Sequence, residues 1–136
     1  MKLEILDRTD LAVRALRLLA ELDDAPSREL AERLGTSSGF LTQILNPLVQ
    51  RGFLTSSRGP GGGYRYAGDP SDMSILDVIE TIEGPTDDGR CVLQDAECPR
   101  RAPCALHDAW VSARGSLIDT LTRTPLLDNA TPEVTP

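Results

Sequence analysis

The sequence predicts a mainly α fold with a small β-hairpin and a long C-terminal helix. Apolar residues recur at helical spacing in five separate stretches. Between the third and fourth stretches lies a glycine-rich segment, residues 58–63, flanked by short runs of strand-forming residues. The longest helical pattern comes last, directly after a segment that holds all three cysteines. At 136 residues the chain is long enough for one domain with a buried core, or one domain with a helical appendage.

Three helices are predicted near the N-terminus. The first runs from about Arg8 to Leu22 and carries Asp10 near its start, where the helix dipole favours a carboxylate. The second runs from Ser27, the expected N-cap, to Leu34, and Gly35 ends it. The third runs from about Ser38 to Arg51. Their expected apolar faces are Leu11, Ala15, Leu18, Leu19 and Leu22; Leu30, Ala31 and Leu34; and Phe40, Leu41, Ile44, Leu45 and Leu48.

The second and third helices have the layout of a helix-turn-helix, because only the brief turn 35–37 separates them. Many small helical proteins contain such a pair without binding DNA, so the motif alone does not decide the function. Pro47 lies inside the third helix, where it removes a backbone hydrogen bond and should kink or weaken the last turn. The polar face of this helix carries Ser37, Ser38, Thr42, Gln43 and Asn46.

Residues 53–66 are typical of a strand, a glycine-rich turn and a second strand, which together form a wing. Gly61 and Gly62 would let the backbone pass close to another surface. Arg58 and Arg65 flank the turn and could reach phosphates or a minor groove. A nucleotide-binding loop is the rival interpretation, but the segment lacks a Gly-Lys-Ser/Thr ending and no helix follows it. An ordinary hairpin with a flexible tip remains an alternative.

Two further helices are predicted in the second half. Ser74 and Asp77 form a capping box that opens a helix with Ile75, Val78, Ile79 and Ile82 facing inward, and Gly84-Pro85 ends it. The last helix runs from about Ala105 to Arg123. Its apolar stripe is expected to pair with a symmetry mate in a homodimer, or to fold back on its own domain. Residues 128–136 are expected to form a flexible tail. The stripe consists of Leu106, Trp110, Ala113, Leu117 and Leu121.

The charge is divided unevenly along the chain, whose formal net charge is −7. Residues 1–68 carry nine Lys and Arg against eight Asp and Glu, whereas residues 69–136 carry five against thirteen. No acidic residue occurs between Glu32 and Asp69, a window that contains four arginines. Because counterion release rewards local positive charge, this window is suited to a phosphate-facing surface. The four are Arg33, Arg51, Arg58 and Arg65.

The three cysteines and the single histidine lie in one short segment, residues 91–107. Cys91, Cys98 and Cys104 are separated by six and then five residues, and His107 follows. Such a set of thiols and imidazole suits an iron–sulfur cluster or a transition metal. Zinc is the second interpretation, although structural zinc sites usually begin with a closer cysteine pair. Inert thiols, or a disulfide with one spare thiol, are the third interpretation. A disulfide is disfavoured because an odd number of cysteines cannot pair internally and disulfides are rare in reducing cytosol.

Composition excludes some other classes. No apolar run approaches the length of a membrane span, and no secretory signal is apparent, so a cytoplasmic protein is expected. Aromatic residues make up only 4% of the chain, which disfavours a stacking platform for single-stranded nucleic acid. No pair of nucleophile and base is suggested, so we expect no enzymatic activity.

Three segments together give the chain a resemblance to a known family. They are Arg58-Gly-Pro-Gly-Gly-Gly-Tyr64 in the wing, Ser74-Ile-Leu-Asp-Val-Ile-Glu-Thr-Ile-Glu-Gly84, and the three-cysteine segment that leads into the last helix. From Leu11 to about Leu127 the chain resembles the IscR/NsrR/RirA family of winged-helix iron–sulfur transcription regulators. The resemblance implies a winged helix-turn-helix DNA-binding domain at residues 1–68. It also implies a dimerisation region at residues 69–127, with a long C-terminal dimerisation helix and a cluster loop at residues 91–107.

The resemblance also implies ligands and partners. Cys91, Cys98 and Cys104 carry over as thiolate ligands. His107 matches the histidine ligand of IscR-like proteins, which hold a [2Fe-2S] cluster. Asp10 matches the carboxylate that NsrR-like proteins supply across the dimer to a [4Fe-4S] cluster. We favour His107 and [2Fe-2S], because His107 is close in sequence to Cys104. The implied partner is double-stranded DNA with an inverted-repeat operator, bound by a homodimer.

The predicted function is a cluster-dependent transcription regulator, a repressor that senses redox state, nitric oxide or iron. Ser38, Thr42 and Gln43 are the candidates for base contacts, with Ser37 beside them, and Arg58 and Arg65 are the candidates for backbone or minor-groove contacts. One rival is a zinc-stabilised or cluster-free regulator of the same fold. Another is a small cluster-carrier protein, which would not need the arginine window or the wing.

Overall fold

The computed structural model of the chain describes residues 3–127, so the predicted tail at 128–136 lies outside the described residues. The predicted mainly α fold with a small β-wing is confirmed. A short 3-10 turn at Pro70–Asp72 joins the wing to the fourth helix. The elements are α1 (Asp7–Leu22), β1 (Asp24–Pro26), α2 (Ser27–Leu34), α3 (Ser38–Gln50), β2 (Leu54–Ser56), β3 (Gly63–Tyr66), α4 (Ile75–Glu83) and α5 (His107–Thr122).

Capping residues mark the boundary between α2 and α3. Gly35 follows α2 in the left-handed conformation at φ 69°, as the sequence predicts. Ser37 caps α3, because its side chain accepts a hydrogen bond from the backbone N–H of Phe40 at 3.1 Å. The prediction that Ser27 caps α2 is wrong. Pro26 holds that position, while the Ser27 hydroxyl donates to the carbonyl of Gly62 in the wing.

The core lies where α1, α2 and α3 meet, with α4 packed against α1 and α3. Leucines from each of the first three helices are fully buried, which confirms most of the predicted apolar faces. The prediction that Phe40 belongs to the apolar face of α3 is wrong, because the residue is 45% exposed. It occupies the first turn of α3, where the adjacent Leu41 is the residue that is fully buried. The largest fully buried leucines are Leu16, Leu19, Leu30, Leu41, Leu45, Leu48, Leu54 and Leu126.

The wing is a three-stranded antiparallel sheet in the order β1-β3-β2. The sequence predicted β2 and β3 but missed β1, whose residue Pro26 pairs with Gly63. A glycine is required at this pair, since a Cβ on Gly63 would lie 2.0 Å from the carbonyl oxygen of Ala25. The glycine-rich turn therefore allows β1 to close against the wing.

The capping box of α4 is confirmed. The N–H of Asp77 donates to the Ser74 hydroxyl at 3.2 Å, and the N–H of Ser74 donates to the Asp77 carboxylate at 2.8 Å. Of the predicted inward residues Val78 is buried, whereas Ile75, Ile79 and Ile82 are only half-buried and Leu76 is buried in addition.

The chain returns to α1 and α4 after α5. The N–H of Ile75 donates to the carbonyl of Thr124, and the N–H of Leu126 donates to the carbonyl of Met73, both at 2.9 Å. The guanidinium of Arg17 in α1 donates to the carbonyl of Leu126 at 3.0 Å. Both α1 and α4 therefore anchor the segment that follows α5.

The apolar stripe of α5 is not buried by its own domain. No residue of α5 is buried. Leu117 of the stripe is 38% exposed, and Val111, outside the predicted stripe, is 52% exposed. Leu3 and Ile5, beside the same groove as Leu117, are also exposed. The helix begins at His107, two residues later than predicted. Pairing of this surface with a second copy stays a prediction.

Candidate metal centre and nucleic-acid interface

The segment between α4 and α5 brings the three cysteines together. Their sulfurs lie within 4.8 Å of one another, with Cys91 and Cys98 at 3.6 and 3.5 Å from Cys104. All three thiols are free and half-buried. These separations are far longer than a disulfide bond of about 2.05 Å. The three thiols therefore form a ligand set on a loop that no helix or strand stiffens.

The thiols of this loop are electrostatically unequal. The N–H of Leu93 donates to Cys91 Sγ at 3.4 Å, and this bond, with the neighbouring Cys98 thiol, lowers the pKa of Cys91. A hydrogen bond from the backbone N–H of Cys104 also lowers the pKa of Cys98. It is outweighed by the two neighbouring thiols and by desolvation, which together raise the pKa of Cys98 to about 11. Three thiolates this close repel one another, so a bound cation would stabilise the deprotonated set.

The donor set fits both candidate metal groups. Three thiolates with an imidazole nearby are suitable ligands for an iron–sulfur cluster. The observed sulfur spacing also fits one tetrahedral ion, since two thiolates with 2.3 Å bonds to zinc lie about 3.8 Å apart. The loop lacks regular structure and can adjust its spacing to either group.

The two candidate fourth ligands are placed differently. His107 is the first residue of α5, its backbone N–H bonds to the carbonyl of Cys104 at 3.1 Å, and it lines the same cavity as the cysteines. Its ring nitrogens are outside the group of atoms within 4.8 Å. Asp10 lies in the first turn of α1, exposed and paired with Arg14 at 3.0 Å, and does not line that cavity. Within one chain, His107 is thus the candidate that neighbours the cysteines.

The cavity beside the cysteines has a volume of about 180 Å³. The helix α5 supplies Trp110, Val111 and Arg114, which share the face of His107 because they follow it by three, four and seven residues. The loop supplies Asp87 and Arg90, among others. The sequence reasoning missed Arg114 and Asp87. The helical spacing from His107 would have indicated Arg114, whereas no local pattern points to Asp87.

The candidate DNA-contacting residues of α3 differ in exposure and in the hydrogen bonds that their side chains already make. Ser38 and Gln43 are exposed, whereas the Ser37 side chain is occupied as a helix cap. The hydroxyl of Thr42 donates to the carbonyl of Ser38 at 2.8 Å and accepts from the hydroxyl of Tyr64 in the wing at 3.3 Å. Thr42 therefore joins α3 to the wing across a cleft, in addition to any outward contact.

The four arginines of the acid-free window are also unequal. Arg33 pairs with Glu29 at 3.1 Å and Arg65 pairs with Asp24 at 3.1 Å. The guanidinium of Arg51 lies 5.8 Å from the ring centroid of Phe53. Arg58, at the tip of the wing, is exposed and has no ion-pair partner within residues 3–127.

The glycines of the wing have a structural role of their own. Gly61 has φ 101°, which favours glycine, and a Cβ on Gly62 would lie 2.3 Å from the carbonyl oxygen of Ser57. The fold therefore requires both residues. Their predicted close approach to DNA stays a prediction.

In the part of the chain that the structure describes, no helix is both long and apolar enough to span a membrane.

Comparison with known proteins identifies the family. The model of the Rrf2 family, described as an iron-dependent transcriptional regulator, matches residues 5–131. The transcriptional regulator IscR of Vibrio cholerae is 30% identical over 127 residues, which cover 90% of this chain and 73% of that protein. IscR of Vibrio atlanticus is 31% identical over 99 residues, covering 73% of this chain but only 57% of that protein.

The fold comparison agrees with the sequence comparison. The solved structure of IscR from T. potens superposes with a TM-score of 0.69 at 25% identity, covering 93% of this chain and 85% of that one. The matched relatives are transcription regulators, not enzymes, in agreement with the prediction from the sequence. The predicted IscR-type resemblance is confirmed, and the chain belongs to the Rrf2 family.

Proposed function

We propose that the chain is an iron–sulfur-cluster-dependent transcription regulator, a repressor that binds an inverted-repeat operator as a homodimer. The observation that carries the proposal is the group of three thiols within 4.8 Å of one another, in a cavity that His107 also lines. Cys91, Cys98 and Cys104 would hold a [2Fe-2S] cluster with His107 as the fourth ligand. The alternative is a [4Fe-4S] cluster with Asp10 supplied by the partner subunit.

A bound cluster would supply reversible redox chemistry and sensitivity to oxidants, nitric oxide and iron supply. The chain's own residues would convert that chemistry into a change of shape. The loop lies between α4 and α5, and the segment after α5 is hydrogen-bonded to α1 and α4. A rearranged loop would shift α5 against the helices that support α3. Operator DNA can act as the readout only if it binds the two arrangements with different affinity.

The DNA-contacting surface would consist of α3 and the wing. Ser38 and Gln43 are exposed on α3 and suited to base edges, while Thr42 would combine a base contact with its bond to Tyr64. The unpaired guanidinium of Arg58 is suited to a phosphate, and Arg65 could reach one only by sharing or leaving Asp24. The exposed apolar residues of α5 and of residues 3–6 would be covered by the second subunit.

The testing experiment is an anaerobic purification with iron and sulfide analysis and visible absorbance. The wild type would be compared with His107→Ala and Asp10→Ala. We expect about two irons per chain and their loss in His107→Ala, with Asp10→Ala unchanged. About four irons with loss in Asp10→Ala would select the alternative cluster.

A zinc-stabilised regulator of the same fold is the second candidate. The sulfur separations of 3.5 and 3.6 Å favour it, because they approach the spacing of two thiolates on one tetrahedral ion. Such a protein would be colourless and would contain about one zinc per chain. That result would refute the cluster-dependent switch and leave the DNA-binding proposal intact.

A further inference from the structure

Two charged side chains from different elements meet at the wall of the cysteine cavity. Arg114 Nη1 of α5 lies 3.2 Å from Asp87 Oδ1, near the start of the cysteine loop. The Arg114 side chain is only 20% exposed, whereas the other ion-paired arginines of residues 3–127 are 52% to 88% exposed. The Asp87 carboxylate is 55% exposed, so water screens the pair from one side only. Fully exposed ion pairs contribute little, and a pair with one sheltered member is screened less.

The positions of the two residues allow the ion pair to restrain the cysteine loop against α5. Arg114 follows His107 by two helical turns on the same face of α5, and Asp87 precedes Cys91 by four residues. The ion pair thus closes a loop of 27 residues onto the helix that carries the candidate imidazole ligand. Fastening the start of a loop restricts the conformations available to the groups on it.

The same positions allow the two charges to affect the electrostatic potential at the thiols. A second guanidinium, that of Arg90, also lines the cavity, but carboxylates of Asp88 and Asp95 both bind it within the loop. Arg114 has a single carboxylate partner among the described residues, so removing either member leaves one unbalanced charge beside the thiols. A metal group held by three thiolates is sensitive to such charges, which alter its reduction potential.

We propose that Arg114 and Asp87 are a positioning pair for the metal group. The pair holds the cysteine loop against α5, and its two opposite charges set the electrostatic potential at the group that the cysteines bind. This inference rests on the proposed function, in which Cys91, Cys98 and Cys104 hold an iron–sulfur cluster.

The test uses the full chain with its cluster reconstituted anaerobically. The variants are Arg114→Gln, Asp87→Asn and the double variant. Arg123→Gln is the matched control, because it removes an arginine from the end of the same helix roughly 13 Å away. Iron transfer to a chelator measures how firmly the loop holds the group. We expect each single variant to lose iron roughly tenfold faster than the wild type and the control.

The reduction potential of the cluster distinguishes an electrostatic role of the pair from a purely positioning role. Arg114→Gln should lower it, because an unbalanced carboxylate disfavours adding an electron, whereas Asp87→Asn should raise it. The double variant should return towards the wild-type potential while still losing iron quickly. Arg114→Lys keeps the charge but not the planar fork, so its potential should stay near that of the wild type.

Wild-type rates of iron loss in both single variants would overturn the positioning role. Potential shifts of the same sign in both would overturn the electrostatic role. A third readout does not need the metal: in the apo protein, amide exchange across residues 87–106 should be faster in both single variants than in the control. If the wild type takes up no iron and sulfide, the proposed function fails, and the exchange rates still decide whether the pair fastens the loop.

Discussion

The unpaired charge of Arg58 makes the proposed DNA-binding surface directly testable. Each phosphate that a basic side chain neutralises steepens the dependence of log affinity on log salt by about 0.9. If each wing makes one such contact, Arg58→Ala should reduce the slope by about 0.9 per chain, or about 1.8 for a dimer with both wings bound. The same contact strengthens binding roughly eightfold per wing at about 0.1 M salt.

The assay is fluorescence anisotropy with a short double-stranded DNA of arbitrary sequence, titrated at several salt concentrations. The counterion effect is independent of sequence, so the operator need not be known. Arg33→Ala is the matched control, because Arg33 lies in the same acid-free window but pairs with Glu29. We expect its slope to change far less. An unchanged slope in Arg58→Ala, or equal changes in both variants, would refute the assignment of the wing tip to the phosphate backbone.

Further predictions concern the wing, the core and the subunit contact. Gly63→Ala should lower the thermal midpoint strongly, because its Cβ would overlap the Ala25 carbonyl, whereas Gly39→Ala, which has open space, should not; similar midpoints would contradict the required close approach. Tyr66→Phe should cost about 1 kcal/mol in urea unfolding, because its hydroxyl donates to a backbone carbonyl of α1 at 2.6 Å. Burial raises the pKa of Tyr66, so the fold favours its neutral form. The wild type should therefore lose stability above about pH 10, where the hydroxyl ionises in the unfolded chain. Tyr66→Phe should show a smaller loss of stability over the same pH range. Leu117→Glu should shift the protein towards monomer in sedimentation velocity, and an unchanged mass would place the subunit contact elsewhere.

Features set by neighbouring residues could be predicted from the sequence. The capping box of Ser74 and Asp77 and the stop at Gly35 depend on residues within one helical turn, and both are present. The cysteine segment indicated a metal site because its ligands are close along the chain. The arrangement of the sulfurs around Cys104 could not be predicted, since it depends on how an irregular loop folds.

The features that the sequence did not reveal depend on distant partners. The strand β1 has the sequence Asp-Ala-Pro, which favours turns over strands, and it forms because Gly63 lets its backbone approach. Ser27 looked like a helix cap because serine prefers that position, but its hydroxyl bonds to the wing. The Asp87–Arg114 pair joins residues 27 positions apart.

The proposed route from the cysteines to α3 depends on how α5 is held by the other helices. In the middle of α5, Arg114 holds the residues that precede the cysteines through its ion pair with Asp87. Beyond its C-terminal end, the carbonyl of Leu126 accepts from Arg17 of α1, while the N–H of Leu126 binds the residue before the α4 cap. Both α1 and α4 pack against α3. Because α5 has no buried residue of its own, these contacts and its packing against α4 are what hold it within the chain. Leu126 is fully buried in the core, so a shift of α5 would be transmitted at this residue to α1 and α4, and through them to α3.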